Sequence, residues 1–504
     1  MAGVFENKDR KMIPNWRSFN KTVLMGELDM SLVKPIVVPN LSIDSYIEDF
    51  KEKKTVPHAA DLISASIVNG CEQNESVKDA ATFIIANKKH ATKSQSDIAD
   101  RIVGDVNKDI ENKLSNITIK ELDNCLPIDF YRNRIKLIKK YVIEYPYNPI
   151  SWVELSRSYS ILGQEKQAVS AMKSAVQLCS DNRFILRSAI RLFAHYGDIE
   201  LAHDIVRKST ITNYDPWITS AEIAIASLRG RSSKFIKRGI ELLNSNKFSP
   251  FSTTELASSI GTIELAAGSR KKSRELFNKS LIAPNDNSLA QMEWILNQKD
   301  KTLFDRSLIK MQNEHNFEAQ ALFNFHDKKL VDALNNTCQW FCDMPFSKRP
   351  VMLGTHIAEI LGYTNLAVKF LETSLISHPN DPQLLNNIAY YLALENKTDE
   401  ALKYYNKINY NSDISKLTEI CTTATYGLIC FRTQKYNEGR EAYIRAIESA
   451  KIENDRYHNW VAILNYAREE ILAKTEYVES VLELVKLIPE NGNEDIIIKK
   501  MRSE

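Results

Sequence analysis

The chain has 504 residues, with 66 Lys and Arg against 64 Asp and Glu and a net charge of +2. That length supplies a large buried core, while so balanced a charge excludes a general polyanion binder. No apolar run reaches the roughly 18 residues of a membrane span and the opening MAGVFENKDRKMIPNW is polar where a signal peptide would be apolar, so a cytoplasmic protein with no membrane association is expected.

Residues 1–55 read as an extended arm, because the stretch from Leu32 to Pro39 is β-branched and broken by Pro35 and Pro39. Such an arm lies along another surface, its own or a partner's. Residues 56–125 turn helical without a fixed register; Ala59, Ala60, Ala65, Ala80, Ala81 and Ala86 favour close packing, and Gly70 serves as a helix C-cap. They read as a separate helical cap or docking module. Pro127 to Glu144 fits the second helix of a hairpin whose first is missing or degenerate. Two clear helical hairpins follow at 148–182 and 183–214, then an irregular one opened by Asp215, Pro216 and Trp217, then a fourth from Ser252 with its turn at Gly268 and its end at Pro284. Asn285 to Asp300 interrupts the pattern, with Trp294 inside a helix-like segment. Hairpins resume at 314–347, at 348–381 and from Pro379 to Ile408, and an insertion at Asn409 to Ser415 shifts the next. Arg456 to Lys486 makes two more helices, for which Arg468, Glu469, Glu470 and Glu483 offer the polar outer face that a terminal element needs. The last run, 494–504, is too short to pack by itself.

The division rests on spacing. After Pro379, the residues Leu385, Ile388, Ala389 and Leu392, then Asn396 as a break, then Ala401, Tyr405 and Ile408 recur at three and four, which makes two amphipathic helices folded as a hairpin. Ala333, Ala367 and Ala401 lie 34 residues apart, as do Pro345 and Pro379, and a second run repeats that period in Gly163 and Gly197, Ala168 and Ala202, Tyr159 and Phe193. Period and order resemble the tetratricopeptide repeat (TPR), W-x2-L-G-x2-Y, then A-x3-F, then P. The best unit reads Trp152, Leu155, Ser156, Tyr159, Ala168, Met172 and Ala175, with serine for the glycine and methionine for the aromatic. The resemblance implies an all-α fold: a right-handed superhelical solenoid of about eight TPR-like helix-turn-helix repeats over 126–456, preceded by the non-repeat arm and helical cap and closed by capping helices at 457–504.

Motifs for chemistry are absent. GxSxG, GxxxxGK[ST], HExxH and Gly-rich phosphate loops do not occur, and the 15 glycines are scattered about one per turn. The nine histidines form no HxH or HxxxH pair. The seven cysteines (Cys71, Cys125, Cys179, Cys338, Cys342, Cys421, Cys430) form no CxxC pair; Cys338 and Cys342 lie one helical turn apart, but no further pair completes a zinc set. The chain reads as a non-enzyme without cofactor or metal, its cysteines reduced thiols packed in helices. Residues 1–125 alone leave room for a small catalytic module.

By the resemblance, the first helix of each hairpin lines a concave groove. Helical spacing puts Val153, Arg157, Arg187, Arg191 and His195 on that face in the first two clear hairpins. Three arginines there can clamp a carboxylate or an acidic segment, or pair with Glu154 and neighbouring acids. A second face carries Met352, His356, Asn386, Asn387 and Tyr390. Asn387 resembles the asparagine with which chaperone-binding members of the family hold a peptide carboxylate. The companion Lys and Arg are not at matching places, so an asparagine-rich peptide surface is expected instead. On one outer edge, Arg229, Arg231, Lys234, Lys237 and Arg238 stand beside Arg270, Lys271, Lys272 and Arg274 of the next hairpin, where they can meet phosphate or an acidic protein. Two functions fit. One is a scaffold or adaptor holding a partner protein or peptide in the groove. The other is a regulatory subunit of a bacterial defence or stress complex, contacting nucleic acid through the basic edge and recruiting an effector encoded nearby; abundant Ile, Asn and Lys suggest an AT-rich, bacterial coding sequence.

Overall fold

The structure, a computed structural model, describes residues 10–24, 43–69, 74–103, 128–245, 247–298, 300, 302–306, 315–410, 414–489, 498 and 500–501, and among them every regular element is a helix. Hairpin-opening helices run at Pro149–Ile161, Arg183–His195, Pro216–Leu228, Pro250–Ala266, Asp286–Gln298, Phe317–His326, Lys348–Leu361, Pro382–Leu394, Lys416–Arg432 and Arg456–Ala473. Their starts are written locally. Asn148, Asn182, Asp215, Ser249, Asp381, Ser415 and Asp455 accept a hydrogen bond from an amide two or three residues on, and Pro149, Pro216, Pro250 and Pro382 begin their helices. Apart from Asp286–Gln298, each opening helix ends in a tight turn with one left-handed residue, a glycine at Gly163, Gly197, Gly230, Gly268 and Gly362 and a tolerated side chain at Lys328, Asn396, Gln434 and Lys474.

Close approach of the two helices comes from a small residue facing a ring. A Cβ at Gly261 would stand 2.7 Å from the Phe277 ring, at Gly354 2.8 Å from Phe370 and at Gly427 2.9 Å from Tyr443, each partner sixteen residues on. In the first hairpin Ser156 and Met172 take these two places, and the Ser156 hydroxyl donates to the Ala168 carbonyl at 2.7 Å. Hairpins stack around a main core that includes Tyr131 and Val481, with a separate cluster of Ile223, Leu242, Leu256, Ile260 and Leu276 between neighbouring hairpins, the superhelical solenoid expected of repeats that cannot bury their faces alone.

Three boundaries differ from the sequence reading. The helix-like segment around Trp294 is the helix Asp286–Gln298, and it does not stand outside the stack: Leu289, Ala290, Met292 and Ile295 are wholly buried. Gln291 and Glu293 are buried there too, and polar residues at inward positions hide the helical period. Arg456–Ala473 and Val478–Lys486 form a further hairpin rather than a solvated cap. Glu469 and Glu470, expected on an outer face, are buried and pair at 2.7 Å with Arg432 and Arg440 of the hairpin before; Glu483 stays exposed. Among the described residues of the arm assigned to 1–55, 10–18 and 53–55 are not helical, while Phe19–Leu24 and Ile43–Glu52 are helices. Ile43, Tyr46, Ile47 and Phe50 make a three-and-four stripe that joins Val56–Asn69, Glu75–Ala86 and Lys93–Val103 in a core of their own. Leu32 to Pro39, Gly70, Cys71 and Cys125 lie outside the described residues. The helical module meets the coil through Lys93–Val103, which touches Phe19–Leu24 and places the Lys93 ammonium 3.9 Å from the centre of the Tyr141 ring.

Candidate functional site

Opening and second helices are buried differently. The second helix Glu165–Leu178 hides one stripe, Ala168, Ala171, Met172 and Ala175, and leaves the rest to solvent. The opening helix Pro149–Ile161 is buried from Val153 through Ile161 without a break, although it carries Glu154, Arg157 and several serines. A helix buried all round with polar residues on its inner side must have something covering that side.

The opposite wall supplies part of the cover, because the coil returns on itself. Ser377 Oγ donates to the Ile161 carbonyl at 2.8 Å. A Cβ at Gly163, already at a left-handed φ of +67°, would lie 2.5 Å from the Ile376 carbonyl oxygen, so that turn needs glycine twice over. Arg157 donates to the Asp343 carbonyl at 3.1 Å and Arg191 to Ser347 Oγ at 3.3 Å, while the His195 ring sits 5.4 Å from Phe346 and 5.0 Å from His378.

The remainder comes from residues 10–24, which lie against the inner wall. Arg10 donates to Glu318 Oε1 at 3.0 Å, to Gln291 Oε1 at 2.6 Å and to Asn287 Oδ1 at 2.8 Å. Arg17 donates to Asp343 at 2.5 Å and to Asp286 at 2.9 Å, and Lys21 reaches the other Asp343 oxygen at 3.2 Å. The backbone is gripped as well. Gln291 Nε2 donates to the Arg10 carbonyl at 3.3 Å, Asn287 Nδ2 to the Ile13 carbonyl at 3.2 Å, and the Phe19 amide donates to Glu154 Oε1 at 2.8 Å. Trp16 packs 5.3 Å from Phe346 and Phe19 meets Phe184 edge-on at 5.2 Å. Trp16 and Arg17 are each 1% exposed, the burial of a core residue rather than of a passing strap.

Charge at this wall is heavily desolvated. Burial raises the carboxyl of Asp343, but Arg17 and Lys21 override it and hold the group at about 2. Burial acts likewise on Glu318, and Arg10 and Arg349 bring it below its ordinary value. At Asp286 burial wins: the group is pushed up to about 7, Arg17 opposing and Glu318 and Asp343 adding to the rise. Glu255 is lowered against its burial by Arg187, which grips it with two bonds of 2.7 and 3.0 Å. Burial and the nearby Arg349 bring Arg191 down to about 10, and burial with His378, Arg191 and Lys348 alongside keeps the His195 ring neutral.

The residues singled out from sequence therefore sit as follows. Arg157, Arg187, Arg191 and His195 are on the inner side, each engaged with the chain itself rather than converging on an open cleft. Met352, His356, Asn386, Asn387 and Tyr390 are all buried; Tyr390 donates to Asn465 at 3.2 Å, the His356 ring faces Phe325 at 5.6 Å, and Lys500 caps the Glu359 carbonyl at 2.6 Å. On the basic edge, Arg229 is tied to Glu200 and His203, Arg238 to Glu241 and the Asn213 carbonyl, Arg270 to Asp300 and Lys272 to Glu264, while Lys234 lies 5.0 Å from the Phe235 ring. Arg231, Lys237, Lys271 and Arg274 are exposed and meet no carboxylate among the described residues. The second helices Ile236–Asn244 and Arg270–Ser280 are joined near their far ends by Lys279 and Asn244 at 3.2 Å, which leaves both basic clusters at the same end.

Sequence reasoning missed the acids and amides of the wall, Asp286, Asn287, Gln291, Glu318 and Asp343. For the first four, polar residues at inward positions of otherwise apolar opening helices were the available signal; Asp343 closes the second helix Leu330–Asp343.

A family model described as tetratricopeptide repeat matches residues 150–182, the hairpin built on Ser156 and Met172. No curated protein matches the chain. Among solved structures it is similar to the crystal structure of yeast Tom70, at 15% identity over 78% of this chain and 94% of that one, with a TM-score of 0.30, a level of likeness that says nothing about partners.

Proposed function

We propose that this tetratricopeptide-like helical-repeat protein is a non-catalytic scaffold or adaptor that holds a partner protein by the inner wall of its coil. The observation that carries the reading is the wall's grip on residues 10–24, by side-chain charges, by amides bonded to backbone carbonyls and by an aromatic slot. A surface that seats a peptide in this way is built for polypeptide. Among the described residues no helix is long and apolar enough to cross a membrane, and the composition favours a bacterial cytoplasm as the setting. The test is purification of the tagged full chain from its host followed by cross-linking. A stoichiometric protein partner linked to opening-helix residues is expected. A chain recovered alone and monomeric, or links confined to the second helices, would overturn the reading.

A second reading is supported by the exposed cations Arg231, Lys237, Lys271 and Arg274, which meet no carboxylate among the described residues and lie at corresponding ends of neighbouring hairpins. Clustered exposed charge of one sign binds phosphate backbones with strong salt dependence. In this reading the edge contacts nucleic acid and the coil recruits an effector. Binding of short duplexes that weakens steeply with salt and is lost on Lys271→Glu with Lys272→Glu is the expected result; no binding at low salt would dispose of it.

A further inference from the structure

Emptying the inner wall leaves a definite chemistry behind. The hydrogen-bonding cations of Asp286 and Asp343 among the described residues, Arg17 and Lys21, belong to the segment and not to the wall. Without them Asp286 keeps the Ala319 backbone amide at 2.9 Å. Asp343 keeps the Arg157 guanidinium beside it, which donates to the Asp343 carbonyl and not to its carboxylate. Glu318 alone retains a partner of its own wall, Arg349 at 2.5 Å. Of the other inner arginines, Arg187 is closed off by Glu255 and Arg191 donates to Ser347 Oγ. Asp343 and Glu318, both wholly buried, lose Arg17, Lys21 and Arg10, and a buried carboxylate stripped of its cations is strongly unfavourable unless a cationic group replaces them; Asp286, which burial already pushes up, can take a proton instead. The bias is opposite to the one the arginines suggest in sequence: the wall suits a basic segment rather than an acidic one.

The remaining contacts are generic to peptide. Gln291 and Asn287 read the carbonyls of Arg10 and Ile13, groups that any segment offers. Specificity then lies in two guanidinium sites seven residues apart, at most about 25 Å along an extended chain, and in the slot beside Phe346 that takes Trp16.

Resting on the adaptor reading, we propose that the acidic inner wall of Asp286, Glu318 and Asp343 is a receptor for an extended cationic segment of a partner protein, two arginines seven residues apart with an aromatic side chain before the second, and that residues 10–24 are its tethered occupant. The partner segment and the tethered one compete for the same carboxylates.

The test uses the full chain and a fluorescent peptide spanning residues 10–24. The double variant Arg10→Ala, Arg17→Ala is expected to bind the peptide one to one and at least tenfold more tightly than the natural chain, and a peptide with glutamate at both arginines is expected not to bind. Absence of peptide binding to a variant that keeps its helical signal and cooperative unfolding would overturn the proposal. Should the variant not fold, hydrogen exchange on the natural chain decides: amides of residues 10–24 opening before global unfolding support exchange, and opening only with it overturns the proposal. Dimers of the natural chain linked by swapped segments would also overturn it, assigning the site to a second copy. A partner complex that persists while the peptide fails removes the cationic-segment assignment and leaves the adaptor reading intact.

Discussion

On the inner wall Arg187 is 5% exposed and holds Glu255 with two bonds, whereas on the outer edge Arg274 is exposed and meets no carboxylate among the described residues. The same residue type, two hairpins apart in one repeat architecture, has been committed to structure in the first place and left to solvent in the second. Position in the hairpin makes the difference. Inner positions of opening helices see the opposite wall and residues 10–24, so a charge there is held by a counter-charge, as Arg187 is by Glu255, or by polar groups across the coil, as Arg157 and Arg191 are. Ends of second helices see water, where an unpaired charge costs almost nothing and stays available to a ligand. Repeat proteins are usually read with the groove as the open surface; here the groove is filled and the edge is open.

The sharpest way to break this contrast is to remove one buried acid. Asp343→Ala leaves Arg17 and Lys21 without their shared carboxylate, and the expected loss is about 3–5 kcal/mol, read as a lowered midpoint in denaturant unfolding. A smaller loss would mean that the wall is wetter than its burial implies. Next in size is a hairpin change that touches no charge. Gly261→Ala drives a methyl into the Phe277 ring and should cost about 1–3 kcal/mol, with a response to salt no different from that of the natural chain.

Acidity separates two acids of the same wall. Asp286 has its folded value raised from 3.8 to about 7, so its share of stability is full below pH 3.8 and is lost as pH rises toward 7. Asp343, lowered from 3.8 to about 2, does the reverse, contributing fully above pH 3.8 and losing its share as pH falls toward 2. Asp286→Asn is therefore expected to flatten the decline in unfolding midpoint between about pH 4 and 7 while leaving the acid limb in place; an unchanged slope would show that Asp286 does not titrate there. The smallest structural effect belongs to the edge. Lys271→Glu with Arg274→Glu should move stability by less than about 0.5 kcal/mol, in contrast to Asp343→Ala, and any polyanion binding should vanish with it.

The hairpins were legible because their signals are local. A cap at Asp381 with Pro382 behind it, a turn at Asn396 and a small residue at Ala401 all act within one unit, and the 34-residue period repeats them. Legibility failed where polarity ran against the period. Asp286–Gln298 reads as helix-like but outside the repeat since Gln291 and Glu293 occupy buried positions, and Glu469 and Glu470 read as solvent-facing because their arginines lie in another hairpin. Inner-face positions of Arg157, Arg187 and Arg191 followed from helical spacing, but what those side chains hold did not.

From the order of its residues alone this chain determines a stack of helical hairpins, since caps, turns and the small-against-large pairing are decided over a few residues and repeat. What fills the coil was decided only in three dimensions. Arg10 meets Glu318 across 308 positions and Arg17 meets Asp343 across 326; at such separations no periodicity carries information about pairing, and the choice of partner is made by the curvature that brings the opposite walls together around residues 10–24.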